Sequence, residues 1–311
     1  MHETATDTTM PRRPVHGAWQ QLISKQAFWV TIAVVLIPVA MTLIEPSFSK
    51  AFWKEENFFN VTRNFAFIAI IALGQVTVMI TGGIDLSVGS ILAVCGIVLG
   101  LLMTNDYSFW VAAPAAIGAG VACGLFNGYL ISYLRLSPFV VTLGMLSIGR
   151  SLALAISNNK FFYQFGHDQK LLIELGGGKT FGLANPVIFL VALTLIMGFA
   201  LRYTKWGRHL YAIGGNESAA RLTGVPVDRL KLSVYVLSGF MTAISAILSV
   251  GWLGSVTNGI GLGYELRVIA STVIGGANLL GGEGCEHPRR HLGLRSPAPG
   301  CRRAGRLHRH A

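Results

Sequence analysis

The sequence predicts an all-α, polytopic membrane protein, a helical bundle with about seven or eight transmembrane segments. Three observations carry that expectation. The 311-residue chain is 52% hydrophobic and only 13% charged, about half the charged share of a soluble domain. Its apolar residues fall in repeated runs long enough to cross a bilayer core of ~30 Å. Its basic residues lie between those runs, as the positive-inside rule expects. Glycine is abundant at 37 residues, which suits close helix packing and interrupted helices in lipid.

The elements follow in chain order. Residues 1–27 form a polar tail without the layout of a cleaved signal peptide, so the first apolar run is expected to be a retained span. Spans are expected at 28–44, 65–80, 86–103, 109–134, 139–156, 186–201 and 232–254. A shorter, Gly-rich stretch at 268–280 is an eighth span or a half-helix that begins one. The membrane-spanning body is thus 28–284, followed by a basic tail at 285–311. Loop 202–231 carries six basic residues against Glu217 and Asp228, the strongest inside signal in the chain. Counting back six spans places the N-terminus on the same, cytoplasmic side, in agreement with Arg12, Arg13 and Lys25.

Charge excludes some classes. The formal net charge is +11, but the last 27 residues hold seven Arg and one acid, so most of the chain is only mildly basic and no nucleic-acid partner is expected. Cys95 and Cys123 lie inside apolar runs as packing residues, and the four cysteines suggest no metal site. No HExxH motif, no pair of aspartates within spans and no His within a span is present, so no catalytic residue is expected. "GGGKT" at 176–180 ends like a phosphate-binding loop, but Ile173 stands where the first glycine of that motif belongs, and Asn185-Pro186 follows where a helix should run.

"TGGIDLSVGS" at 81–90 contains Asp85, the only charged residue between Arg63 and Asp106. Residues 65–103 are too long for one span, so the chain must turn there. Gly82-Gly83 is expected to end the second helix. Asp85 is expected to cap the third, accepting from the N–H of Ser87 or Val88 near the cytoplasmic side, where the helix dipole favours an anion. Glu265, like Asp85, is expected at a span end. Polar residues within spans are candidates for a solute path: Gln75, Thr77, Asn127, Thr142 and Ser147. For each, a helix-to-helix hydrogen bond is the plainer role. Arg150 either snorkels or faces the interior.

"YAIGGNESAARLTGVPVDRLK" at 211–231 predicts a short surface helix over 218–223. Asn216 is a favourable N-cap, and Glu217 suits the positive end of the helix dipole. Arg221 projects, Gly224 ends the helix and Pro226 prevents its continuation. A charged connector that only fixes topology is the alternative.

This loop resembles the coupling segment of ABC-importer permeases, with Ala219, Ala220 and Gly224 at the characteristic spacing. "GGIDLSVGS" (Gly82, Gly83, Asp85, Ser87 and Gly89 among it) resembles the hallmark of ribose-type sugar permeases. "GLFNGYLISYLRLSPFVVTLGMLSIGR" at 124–150 and "GYELRVIASTVIGGANLLGGEG" at 263–284 are similar to two further segments of that family. The resemblance spans about residues 25–284. It implies a multi-pass permease subunit of the bacterial inner membrane, with about ten segments in the complete family. It further implies a second permease subunit, identical or homologous, and an ATP-binding cassette subunit docking on Asn216, Glu217, Ala219, Ala220, Arg221 and Gly224. A periplasmic binding protein would deliver a monosaccharide. ATP would be bound by the partner, so no cofactor is expected in this chain. The alternative is an ion-coupled secondary transporter or channel for a small polar solute, which would need paired intramembrane charges.

Arg267 stands where many members of that family carry an acid, and Ser137 where a second proline is common. A larger departure begins at Cys285. Apolar character stops there, and Arg, His, Pro, Ala and Gly dominate. That is what a GC-rich gene yields in a wrong reading frame, so a frameshift near codon 285 is expected. A natural basic arm binding anionic lipid or nucleic acid is the alternative.

Overall fold

A computed structural model describes residues 26–44, 50 and 52–278. Within them the chain is helical nearly throughout. α1 (Gln26–Ile44) is followed by α2 (Glu55–Ile80), α3 (Val88–Thr104), α4 (Phe109–Ser132) and α5 (Pro138–Ser157). A short helix α6 (Gln169–Gly177) and a two-residue hairpin, β1 (Lys179–Thr180) with β2 (Leu183–Ala184), lead into α7 (Asn185–Tyr203). Then come α8 (Lys205–Gly215), α9 (Glu217–Leu222), α10 (Val227–Leu253) and α11 (Tyr264–Ile274). The expectations for 1–25 and for the tail 285–311, its frameshift included, lie outside the described residues, as does the end of the run expected at 268–280.

Five of these helices, α2, α4, α5, α7 and α10, are long and apolar enough to cross a membrane; the part of α1 from Thr31 to Ile44, and α3, are shorter apolar stretches. Span boundaries differ from expectation mainly at polar ends. α2 starts at Glu55, ten residues before the expected 65, because Glu55 and Glu56 sit in its first turn, where the helix dipole favours acids. α5 opens with Pro138 in its first turn and ends at Asn158 in the left-handed conformation, φ 49°. Where one surface helix was expected in loop 202–231, two form. α8, started by the Thr204 hydroxyl accepting from Gly207 N–H at 3.2 Å, precedes α9.

α10 is the central helix, packed against α4, α2, α6 and α3. Its approach to α4 depends on three glycines at four-residue spacing. A Cβ on Gly124 would overlap the Tyr235 carbonyl, one on Gly120 would lie 2.6 Å from the Gly239 carbonyl oxygen, and one on Gly128 3.1 Å from the Leu232 Cα. Small residues that let two backbones touch are the usual route to helix association where lipid removes the hydrophobic driving force. α3 is buried along almost its whole length, which is why its run reads as uniformly apolar rather than amphipathic. "GGGKT" is structural: Gly176, in the last turn of α6, packs against the backbone of Leu248 and Trp252.

The run expected at 268–280 as a span or a half-helix falls on α11, eleven residues long and so about 16 Å, by itself too short to cross a bilayer. It is preceded by a non-helical stretch, 254–263, that runs beside α3. Val256 lies against Gly100 and Gly96, and Gly261 against Gly89. Eleven residues of α3 separate Gly100 from Gly89, so the stretch descends about 16 Å along the bundle before α11 begins. A backbone bridge between Phe162 and Val256 fixes its upper end.

Candidate functional site

Two regions gather the chemistry. The first is a polar hub inside the bundle where α2 breaks and α3 begins. Gly82, φ 79°, ends α2 in a conformation that favours glycine. Asp85 is buried, at 1% exposure. Its Oδ1 accepts from Ser87 N–H at 2.9 Å and from the Ser87 hydroxyl at 2.6 Å; its Oδ2 accepts from the Ser238 hydroxyl on α10 at 2.8 Å. The local part is an aspartate turn closing onto its own backbone two residues on. Asp85 thus accepts from Ser87 N–H, but the residue at the N-cap position of α3 is Ser87 itself.

Other side chains close the hub. In the amide orientation that satisfies both groups, Gln75 donates to the Asp85 carbonyl oxygen and accepts from Asp85 N–H, each at 3.1 Å. Asn127 on α4 donates to the Ser87 hydroxyl at 2.9 Å. The Thr142 hydroxyl on α5 reaches the Ile84 carbonyl at 3.3 Å and the Pro138 carbonyl at 2.8 Å, and Ser90 reaches the Met145 carbonyl at 3.2 Å. Three of the five path candidates, Gln75, Asn127 and Thr142, therefore converge on the Asp85 turn. Thr77 does not: its hydroxyl donates to Gly74 within α2 at 2.7 Å. Ser147 does not either, being exposed on the outer face of α5 with Ile148.

The hub corrects the depth assigned to both acids. Ser238 stands eleven residues into α10, about 16 Å from its start, so Asp85 is well inside the bundle and not at its edge. Glu265 opens α11 beside Gly89, equally far inside. An interior carboxylate needs internal donors because lipid offers none, and the two hydroxyls and one N–H on Asp85 supply them. Ser238 was missed although the sequence carries a signal for it: Ser238, Thr242, Ser245 and Ser249 recur at helical spacing on one face of α10. Ser245 donates to the Phe67 carbonyl on α2 at 2.8 Å, so this stripe is the seam between the two helices.

The second region is the surface of α8, α9 and the start of α10. Asn216 caps α9, its side-chain oxygen accepting from Ala219 N–H at 3.0 Å. Ala220 is buried against Val227 and its neighbours, while Ala219 and Gly224 are exposed. Arg221, expected to project, instead folds back. It makes a two-pronged contact with Asp228 and reaches Glu217 Oε1 at 3.1 Å, while Lys231 reaches Glu217 Oε2 at 2.6 Å. The physical reason is Pro226: it turns the chain so that the first acid of α10 faces the last turn of α9. The residue that does project is Leu222, 90% exposed. Asp228 is held below the usual carboxylate range by hydrogen bonds from Arg221. For Glu217 partial burial opposes ionisation, but Lys231 and Arg221 outweigh it and hold the group low as well. Beside this network a cleft of about 400 Å³, lined by Arg135, Pro138, Glu217, Arg221 and Lys231 among others, separates α9 from the α4–α5 connection.

Comparison with known proteins bears on both regions. The family model described as branched-chain amino acid transport system / permease component matches residues 57–282. The ribose import permease protein of Escherichia coli (strain K12) is 34% identical over 280 residues, 90% of this chain and 84% of that protein. The L-arabinose ABC transporter permease protein of Azospirillum brasilense is 32% identical over 272 residues, 88% of this chain and 77% of that protein. The L-arabinose transport system permease protein of E. coli is 36% identical over 215 residues, 69% and 65% of the two chains. No solved structure matches significantly.

Proposed function

We infer the function of this chain, which belongs to the branched-chain amino acid transport system permease-component family, from its ribose and arabinose relatives and from its interior. It is the transmembrane permease subunit of an ATP-binding-cassette sugar importer, a multi-pass protein of the inner membrane that is not itself catalytic. The observation that carries this reading, beside those relatives, is the interrupted helix pair at mid-depth. Broken helices deep in a bundle are the usual places where solute paths form. An ion-coupled transporter is not favoured, since the relatives are named as sugar permeases, one of them of an ABC transporter.

The solute is a monosaccharide delivered by a periplasmic binding protein, and the path forms with a second permease subunit, identical or homologous. The N-terminus is cytoplasmic, so α8 and α9 lie on that side. There α9 docks on a separate ATP-binding subunit, which binds the ATP. The exposed Leu222 on a helix capped by Asn216 and braced by Glu217, Arg221 and Asp228 supports the docking role: an apolar knob on a rigid base is what a partner groove recognises. Within the hub, Gly82, Gly83, Asp85, Ser87 and Gly89 hold the break, and Gln75, Asn127 and Thr142 join it to the surrounding helices. The test is co-purification with the ATPase subunit and sugar uptake in proteoliposomes that depends on that subunit and on ATP. A permease that moves sugar on an ion gradient alone would refute the assignment.

A further inference from the structure

Beside the hub, the non-helical stretch 254–263 brings two opposite charges together inside the bundle. Arg150, twelve residues into α5, donates through Nη1 to the carbonyl oxygens of Asn258 at 2.8 Å and Ile260 at 2.9 Å. That clamp fixes the lower part of the stretch. Asn258 is held from its side chain too, accepting from the Ser157 hydroxyl at 2.6 Å and donating to Asn159 at 2.9 Å. Glu265 follows at once in the first turn of α11, and its Oε2 occupies the hollow left by Gly89: a Cβ there would lie 2.5 Å from that oxygen.

The clamp uses only part of the chemistry available. Arg150 Nη2 and Glu265 Oε2 are both buried and have no hydrogen-bond partner among the described residues. They are not paired with each other within ion-pair distance, yet Glu265 lies within electrostatic reach of Arg150. Leaving a buried charged donor or acceptor unmet is unfavourable for each group. If stabilisation were the only requirement, an apolar pair would serve as well or better. Both atoms are sealed in this structure, while other parts of the two side chains keep some exposure. An unmet donor and an unmet carboxylate oxygen, close but separate, match the two faces of a hydroxyl group. A hydroxyl donates its proton to the carboxylate and accepts from the guanidinium through its lone pairs.

We propose that Arg150 and Glu265 form a sugar subsite in the translocation path, taking one hydroxyl or an adjacent pair of a neutral polyhydroxylated solute. The proposal rests on the reading of this chain as a sugar permease. Arg150 Nη1 holds the stretch in place while Nη2 and Glu265 Oε2 meet the solute. The neutral solute leaves the net charge of the site unchanged, so it can depart as readily as it arrives. Gly89 is glycine because the carboxylate stands where its side chain would be.

The test uses the full chain with its ATPase subunit and binding protein in proteoliposomes, with ribose and, in parallel, arabinose as probes, and with loaded binding protein at saturation. Glu265→Gln keeps the shape of the side chain but replaces the carboxylate. It is expected to leave assembly and ATP hydrolysis stimulated by loaded binding protein within twofold of wild type, while lowering sugar uptake at least tenfold, so that hydrolysis and uptake separate. Arg150→Lys, which keeps a charge but loses the second arm of the guanidinium, is expected to show the same separation to a smaller degree. Unchanged uptake in Glu265→Gln overturns the proposal. So does a parallel fall of assembly, hydrolysis and uptake, since that outcome marks Glu265 as structural. If the wild-type complex moves neither sugar with ATP, the functional reading fails, a result distinct from either of these.

Discussion

The Ser238 hydroxyl lies 2.8 Å from Asp85 Oδ2, joining residues 153 positions apart at the depth where two helices break. One carboxylate thereby fixes the turn between α2 and α3, through Ser87, and ties that turn to the central helix α10. The position of α3, and of everything that packs on its first turn, follows from this one side chain.

Substitution at Asp85 should separate its acceptor role from its charge. Asp85→Ala leaves the Ser87 N–H and the Ser87 and Ser238 hydroxyls without their acceptor, at ~1–3 kcal/mol for a donor left unmet. Lower levels of assembled permease in membranes and a lower melting temperature in detergent are expected. Asp85→Asn keeps one oxygen for Ser87, and the Ser238 hydroxyl can turn to accept from the new amide, so most of the assembly should survive. Fluorescence-detected size exclusion after a heat step measures both. Equal behaviour of the two variants would show that charge, not hydrogen bonding, is what matters.

Gly124 should tolerate no side chain. A Cβ there overlaps the backbone of Tyr235 and Val236, and backbone cannot yield as the end of a side chain can. Gly124→Val is expected to cost ~1–3 kcal/mol or more through overpacking. Gly118, on the same helix with nothing within 4 Å of a built Cβ, is the control: Gly118→Ala should be neutral or slightly stabilising, since alanine favours helix over glycine. Thermal stability of the purified protein checks both.

The α9 brace should be sensitive to acid. Glu217 and Asp228 are both held below their ordinary range. A carboxylate with a lowered folded-state pKa contributes stability that is present above its unfolded value, near 4, and lost as pH falls through the folded value. α9 is therefore expected to stay braced from pH 8 down to about 5 and to loosen below about 4. A spin label at Ser218→Cys should report slow motion at neutral pH and faster motion in acid. Arg221→Gln should give the faster motion already at pH 7.

Leu222 should matter to the partner and not to the fold. At 90% exposure it has little to lose within this chain, so Leu222→Ala should leave membrane levels and melting temperature unchanged while weakening co-purification of the ATPase subunit by tenfold or more. Normal co-purification would move the docking surface elsewhere, with the cleft beside Arg135 as the next place to look.

Most of the bundle was legible because spans are written in composition: seven apolar runs correspond to α1–α5, α7 and α10. Polar ends were not, since Glu55 to Asn64 are helical for reasons of dipole and capping that hydropathy does not register. Asp85 was visible as a turn residue, and its Ser87 contact is local in sequence, whereas Ser238 is a tertiary partner marked only by the polar stripe on α10. Arg221 was misread because its acids come from two directions, Glu217 within α9 and Asp228 beyond Pro226. The pairing of Arg150 with the stretch 254–263 spans more than a hundred residues, and no spacing rule connects them. Helix α6 was hidden for another reason: nine residues ending in two glycines carry too little periodicity to stand out from a loop.

The measurement that tests the central claim most directly is uptake of ribose or arabinose by proteoliposomes containing this chain, its ATP-binding subunit and the loaded binding protein. The account predicts uptake that requires ATP and the ATP-binding subunit and ignores imposed proton or sodium gradients. Uptake that proceeds without that subunit and follows an ion gradient would contradict it.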